Sequence, residues 1–171
     1  MKIVKIVLIG IVALVVFIFI ALSAYKILYS QKVAESFEIN RPDLKDKVLI
    51  ATQGSEFKNA LVAGIVENLK QKPLYIKVVD VSALREIKEE EWKAVVLINT
   101  CEASRLQSDV QQYLTRAKKL THTIFLTTSG SGDWKPTNSP IDTITTASRK
   151  KHVNSLVAQI LGKLDGILGK V

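Results

Sequence analysis

Cysteine occurs once, as Cys101, among 171 residues, so an internal disulfide framework and a CxxC pair for zinc or dithiol chemistry are both excluded. A lone Cys in an apolar setting is ordinarily an inert small side chain. Histidine occurs twice; His122 opens an apolar run, His152 stands in a basic stretch, and both read as structural or solvated. The dinucleotide fingerprint GxGxxG is missing after the first apolar run of the folded part, which offers only Gly54, although Asp80 ends the second run where a ribose-binding acid would stand. A Walker loop is missing altogether. A nucleophile elbow GxSxG fails at Ser131, because Ser129 stands where its first glycine should be. A receiver-type phosphorylation site needs an acid at the end of the third run, where the chain has Asn99. No pair of titratable groups converges, so no catalytic acid or base is named. With no basic stripe interleaved with aromatics, no nucleic-acid partner is expected, and no internal repeat is visible.

What the chain has is a long apolar front. From Ile6 to Tyr25 there are 20 residues without a charge, dominated by Ile, Val, Leu and Phe. At 1.5 Å rise per residue that is enough to cross a hydrocarbon core about 30 Å thick. A cleaved signal peptide is the competing reading, since Lys2 and Lys5 form a basic start and residues 21–24 are mostly small. A signal core usually runs about 7–15 residues, and cleavage after Ala24 would put Leu22 at a small-residue position. The anchor reading is preferred. It divides the chain into an anchor at 1–28, a juxtamembrane linker at 29–46, and a domain at 47–171. Lys2 and Lys5 lie on one side of the apolar run and Lys26, Lys32, Arg41, Lys45 and Lys47 on the other, so the side of the bilayer that holds the domain stays open. The net charge is +8, and removing Lys2, Lys5 and Lys26 leaves +5, which predicts a modest attraction to anionic lipid.

Beyond residue 47 apolar runs alternate with helix-period segments. Residues 48–52, 75–80, 94–99 and 123–128 are short, rich in β-branched side chains and flanked by turn or charged residues, which predicts strands. "AVVLIN" and "TIFL" are apolar without alternation, as in parallel strands covered on both faces. Residues 141–148 are a candidate fifth strand. Phe57, Leu61, Ile65 and Leu69 form one helical stripe. Leu106, Val110, Leu114 and Ala117 form a second, and Val153, Leu156, Val157, Ile160, Leu161 and Leu164 a third. Ser104 with Gln107, or Ser108 with Gln111, would make a capping box, and Ser148 would cap the last helix. "VSALREIKEEEW" reads as a short helical turn, with Trp92 packing at a strand entrance. "SGSGDWKPTNSP" leaves no room for a full helix. The expected fold is α/β, an αβα sandwich around a doubly wound parallel sheet of five strands.

In such a sheet a ligand binds outside the carboxyl ends of the strands. The loops there are rich in Thr, Ser, Asn and Gly, which suits an anion at a helix start and equally suits plain capping and turn formation. Arg149, Lys150 and Lys151 at a helix start oppose the macrodipole; an anionic ligand, the membrane surface or simple tolerance in water would each account for them. Residues 47–165 resemble the flavodoxin family. The resemblance implies that Thr52, Gln53, Gly54 and Ser55 wrap the phosphate of FMN. It implies that Asn99, Thr100 and Cys101, with Thr128, Ser129, Gly130, Ser131, Gly132, Asp133 and Trp134, hold its ring, Trp134 stacking on it. Here the family pattern is altered, because Gln53 precedes Gly54 and Glu56 follows. The implied function is FMN-dependent electron transfer to a membrane redox protein. A cofactor-free interaction module and a non-redox anion- or nucleotide-binding domain are the alternatives.

Overall fold

The computed structural model describes residues 2–29, 31–118, 120–137 and 141–169, and resolves the chain into two compact units, 1–31 and 32–171. The first is a single helix, α1 (Lys2–Tyr29). Its segment Ile3–Ala24, 22 residues of mean hydropathy 3.3, is long and apolar enough to cross a membrane.

The second unit carries β1 (Phe37–Ile39), β2 (Asp46–Thr52), α2 (Glu56–Leu69), β3 (Leu74–Asp80), β4 (Ala94–Thr100), α3 (Ser108–Arg116), β5 (Thr123–Thr128), β6 (Thr143–Thr146) and α4 (Val153–Leu168). The strands form one sheet in the order β1-β3-β2-β4-β5-β6. All neighbours are parallel except β1, which pairs antiparallel with the outer edge of β3. The sheet thus has six strands where five were expected. The extra one, Phe37–Ile39, lies inside the stretch read as a linker. Three residues with a central Glu38 and two exposed positions leave no periodic signal.

Pleating sends alternate residues to opposite faces, and both faces are covered. Val48, Ile50, Ile76, Val78, Val96, Ile98 and Leu126 pack beneath α2 and α4 against Leu61, Ile65, Ile160 and Leu164. Leu49, Ala51, Val95, Leu97 and Phe125 pack beneath α3 and the β3–β4 crossover against Val110, Tyr113 and Leu84. That is why the central runs are apolar at every position. The β3–β4 crossover is two short 3₁₀ turns, Val81–Glu86 and Glu89–Glu91, as the weak helical pattern suggested. Trp92 is buried at the entrance to β4 and stacks on Tyr75, with ring centroids 6.1 Å apart. Between β5 and β6 the described residues contain no helix; residues 138–140 lie outside them.

Two capping expectations change. The cap of α3 is Gln107, whose side-chain oxygen accepts from the backbone N–H groups of Asp109 and Val110, so neither Ser104 nor Ser108 holds that position. Leu106 and Ala117 consequently flank the helix instead of belonging to it. Ser148 does not cap α4: a 3₁₀ turn, Lys150–His152, precedes it, and His152 makes no side-chain cap bond. Replacing Gln107 with Ala is expected to cost about 1 kcal/mol, read as a lower urea midpoint at unchanged m-value. A variant as stable as the parent would remove Gln107 from this role.

Candidate functional site

The carboxyl ends of β2, β4, β5 and β6 form one tip of the sheet. Thr100, Thr128 and Thr146 are in register on neighbouring strands there. The Thr100 and Thr128 hydroxyls are 2.8 Å apart. Beyond them, the Thr146 hydroxyl meets His152 Nδ1 at 3.2 Å. Into this row comes Lys58 from the first turn of α2. Its side chain is 1% exposed, and its ammonium donates to Thr100 Oγ1 at 2.5 Å. Burial pushes the Lys58 pKa down from its ordinary value to about 8, against the attraction of Glu102.

The turn after β2 is bound up inside the protein. Thr52 is buried, its hydroxyl donating to Gln53 O at 3.1 Å. Gln53 is also buried, and its Oε1 accepts the Thr100 backbone N–H at 2.7 Å, closing the end of β4. Ser55 caps α2 by accepting the Lys58 N–H at 3.2 Å. Gly54 is bridged on both sides by Lys32: its N–H donates to Lys32 O at 2.6 Å, and its carbonyl accepts the Lys32 N–H at 3.0 Å. The strap formed by residues 32–34 is pinned at its other end, where the Ala34 N–H donates to Asp80 Oδ2 at 2.7 Å. Asp80 also caps the first 3₁₀ turn through Ser82, so the acid at the end of β3 has a structural task. Glu56, the first residue of α2, pairs with Lys150 at 2.6 Å, both side chains well exposed.

After β4, Asn99 is fully buried and donates to Thr100 O at 2.9 Å. Its Oδ1, and the hydroxyl of Thr127 in register with it, are buried without a partner among the described residues. Cys101 is half-buried; burial pushes its thiol pKa up, partly offset by backbone N–H groups of Ser104 and Arg105. Ala103 and Ser104, at φ 48° and 59°, make the turn that returns Arg105 to Glu102. After β5, Ser129 Oγ accepts the Gly132 N–H at 2.9 Å, and Ser131 bonds Asp133. Gly132 has φ 87°, and a Cβ there would meet Ala147 N at 2.6 Å. Gly130 has open space around it. Trp134 is half-buried.

Residues 52–55, 99–101 and 128–134 therefore leave the same edge of the sheet, joined through Gln53 to Thr100 and through the Cys101 N–H to Thr128 O. The order of the five parallel strands, β3-β2-β4-β5-β6, is the 2-1-3-4-5 order of flavodoxin-like proteins, with an antiparallel strand added outside. The domain is flavodoxin-like. No protein-family model matches the chain, and no curated protein matches it in sequence. Among solved structures, this flavodoxin-like domain is similar to the flavodiiron core of Synechocystis at a TM-score of 0.53 and 10% identity, over 74% of this chain and 36% of that one. The chain thus spans about a third of that relative's length. A flavodoxin from the domain Archaea (TM-score 0.48, 10% identity, 71% of this chain, 98% of that one) also matches. So does an oxidoreductase of Corynebacterium diphtheriae (0.43, 12%, 73% and 97%). At 10% identity the likeness to the flavodiiron core bears on the fold alone.

The turn after β2 does not fit an FMN phosphate as it is arranged. A Cβ added to Gly54 would lie 2.6 Å from Val33 O and 2.8 Å from Lys32 O, so the strap's backbone already rests on that glycine. The Gly54 N–H is taken, and the Glu56 carboxylate stands at the helix start, where it would repel a phosphate. Sequence reasoning missed both the strap and Lys58. The strap is a long-range contact with no local signature. Lys58 carried one: it sits one residue from Phe57 and three and four from Leu61 and Val62, within the apolar side of α2.

Proposed function

We propose that the chain is a membrane-anchored flavodoxin-like module that works without FMN and serves as an interaction or scaffold domain. The observation that carries this reading is the strap on Gly54. Its two backbone hydrogen bonds and close packing occupy the turn that a phosphate would need. The anchor rests on Ile3–Ala24, whose length and hydropathy suit a bilayer crossing.

One observation favours the other reading, an FMN-dependent electron carrier. Asn99 Oδ1 and Thr127 Oγ1 are buried acceptors without partners among the described residues, and a donor-bearing ring brought to the tip would satisfy them. Both readings make opposite predictions for the intact chain purified in mild detergent. The cofactor-free module is colourless and leaves the fluorescence of added FMN unchanged. Yellow protein that releases flavin on denaturation, or stoichiometric quenching of FMN, would replace it with the carrier.

A further inference from the structure

The strap brings the chain into the domain at the sheet's tip, on the side of a basic cluster in which, among the described residues, only Lys150 has an ion-pair partner. Lys32 bridges Gly54; two residues further on, Glu56 reaches Lys150 at 2.6 Å. Arg149, Lys150 and Lys151 are all exposed, in and beside the single 3₁₀ turn that leads into α4. Cations at a helix start oppose its dipole, so the helix gains nothing from them. Lys32, held to Gly54 two residues before Glu56, is exposed, and Val33 is 80% exposed, an apolar side chain standing in solvent.

We infer that this tip is a docking surface for an anionic lipid bilayer, an inference that rests on the membrane reading above. The cations are spread over an open surface and accompanied by an apolar side chain. That arrangement suits a planar array of phosphate and carboxylate headgroups better than one small anion, which calls for converging donors. The chain supplies the surface itself: seven residues, 25–31, separate Ala24 from Lys32. Even fully extended they span at most about 3.6 Å each, so a helix crossing the bilayer holds Lys32 and Val33 within reach of the headgroups.

The test uses the full chain in lipid nanodiscs, with Val33→Cys in a Cys101→Ser background carrying an environment-sensitive dye. Discs of phosphatidylcholine with added phosphatidylserine are expected to shift the dye emission to the blue relative to phosphatidylcholine alone. The shift is expected to disappear in high salt and in the combined Arg149→Gln, Lys150→Gln, Lys151→Gln variant. Equal spectra in the two discs, or a shift that survives the triple variant, would overturn the docking surface while leaving the anchor intact. The same shift produced in neutral discs by inorganic phosphate would assign the cluster to a small anion instead. A chain that does not co-purify with the discs removes the anchor, and the docking surface with it.

Discussion

Replacing Lys58 with Met is expected to abolish a rise in stability of roughly 3 kcal/mol that the parent protein shows as the pH is raised from about 8 to about 10.5. The magnitude follows from the lowering of the Lys58 pKa from 10.5 to about 8 by burial. Below pH 8 the lysine is protonated in both folded and unfolded chains, and the penalty for burying its charge is felt in full. Between the two values the unfolded chain keeps the proton that the folded chain has released, so stability climbs with pH. Above 10.5 both are neutral and the climb ends. Met matches the length of the stem and carries no charge, so its variant starts from higher stability at pH 7 and lacks this rise. Thr100 retains its bond to Thr128 in the variant. Urea unfolding at a series of pH values measures this directly. Parallel profiles for parent and variant would mean that Lys58 is solvated, contrary to its 1% exposure.

Gly54→Ala is expected to cost about 1–3 kcal/mol, the usual range for overpacking, and to free the strap. The added methyl would lie 2.6 Å and 2.8 Å from two backbone carbonyl oxygens, which cannot rotate away as a side-chain end would. Residues 32–33 must move, and both hydrogen bonds between Lys32 and Gly54 go with them. Limited trypsin digestion supplies a second measure, since Lys32 is then cut faster while the rest of the sheet stays protected. Unchanged stability together with unchanged cleavage at Lys32 would show that the strap does not rest on this glycine. A substitution at neighbouring Ser55 separates local from strap effects, because Ser55 serves α2 alone through Lys58 N–H.

The parts of the fold that could be read in advance are those whose signal is local and repeated. Val48–Thr52, Ala94–Asn99 and Thr123–Thr128 announce buried parallel strands because both their faces are covered, and the structure agrees to within two residues. The helices on both faces follow from their stripes. What escaped detection depends on partners distant in the chain. β1 is a strand only because β3 offers an open edge, and its residues Phe37–Ile39 have no period to recognise. Gln107 outcompetes two serines as a cap through the position of α3. At the tip, the loop composition pointed to the right edge of the sheet but could not reveal that the donors there were already in use. Gln53 illustrates this: it departs from the family pattern, and in the structure it closes the end of β4. Lys58 was hidden for a different reason. A stripe traced through every fourth residue from Phe57 passes beside it, although the buried side of α2 is wider and includes it.

The packing of α4 against α2 ties that helix to one that precedes it by about ninety residues. During synthesis, α2 can cover its part of that face, but the share that Leu156, Ile160 and Leu164 cover stays open until residues 153–168 have left the ribosome. A nascent chain halted before Val153 would therefore present an open greasy wall, the kind of surface that chaperones hold and that self-associates when they do not.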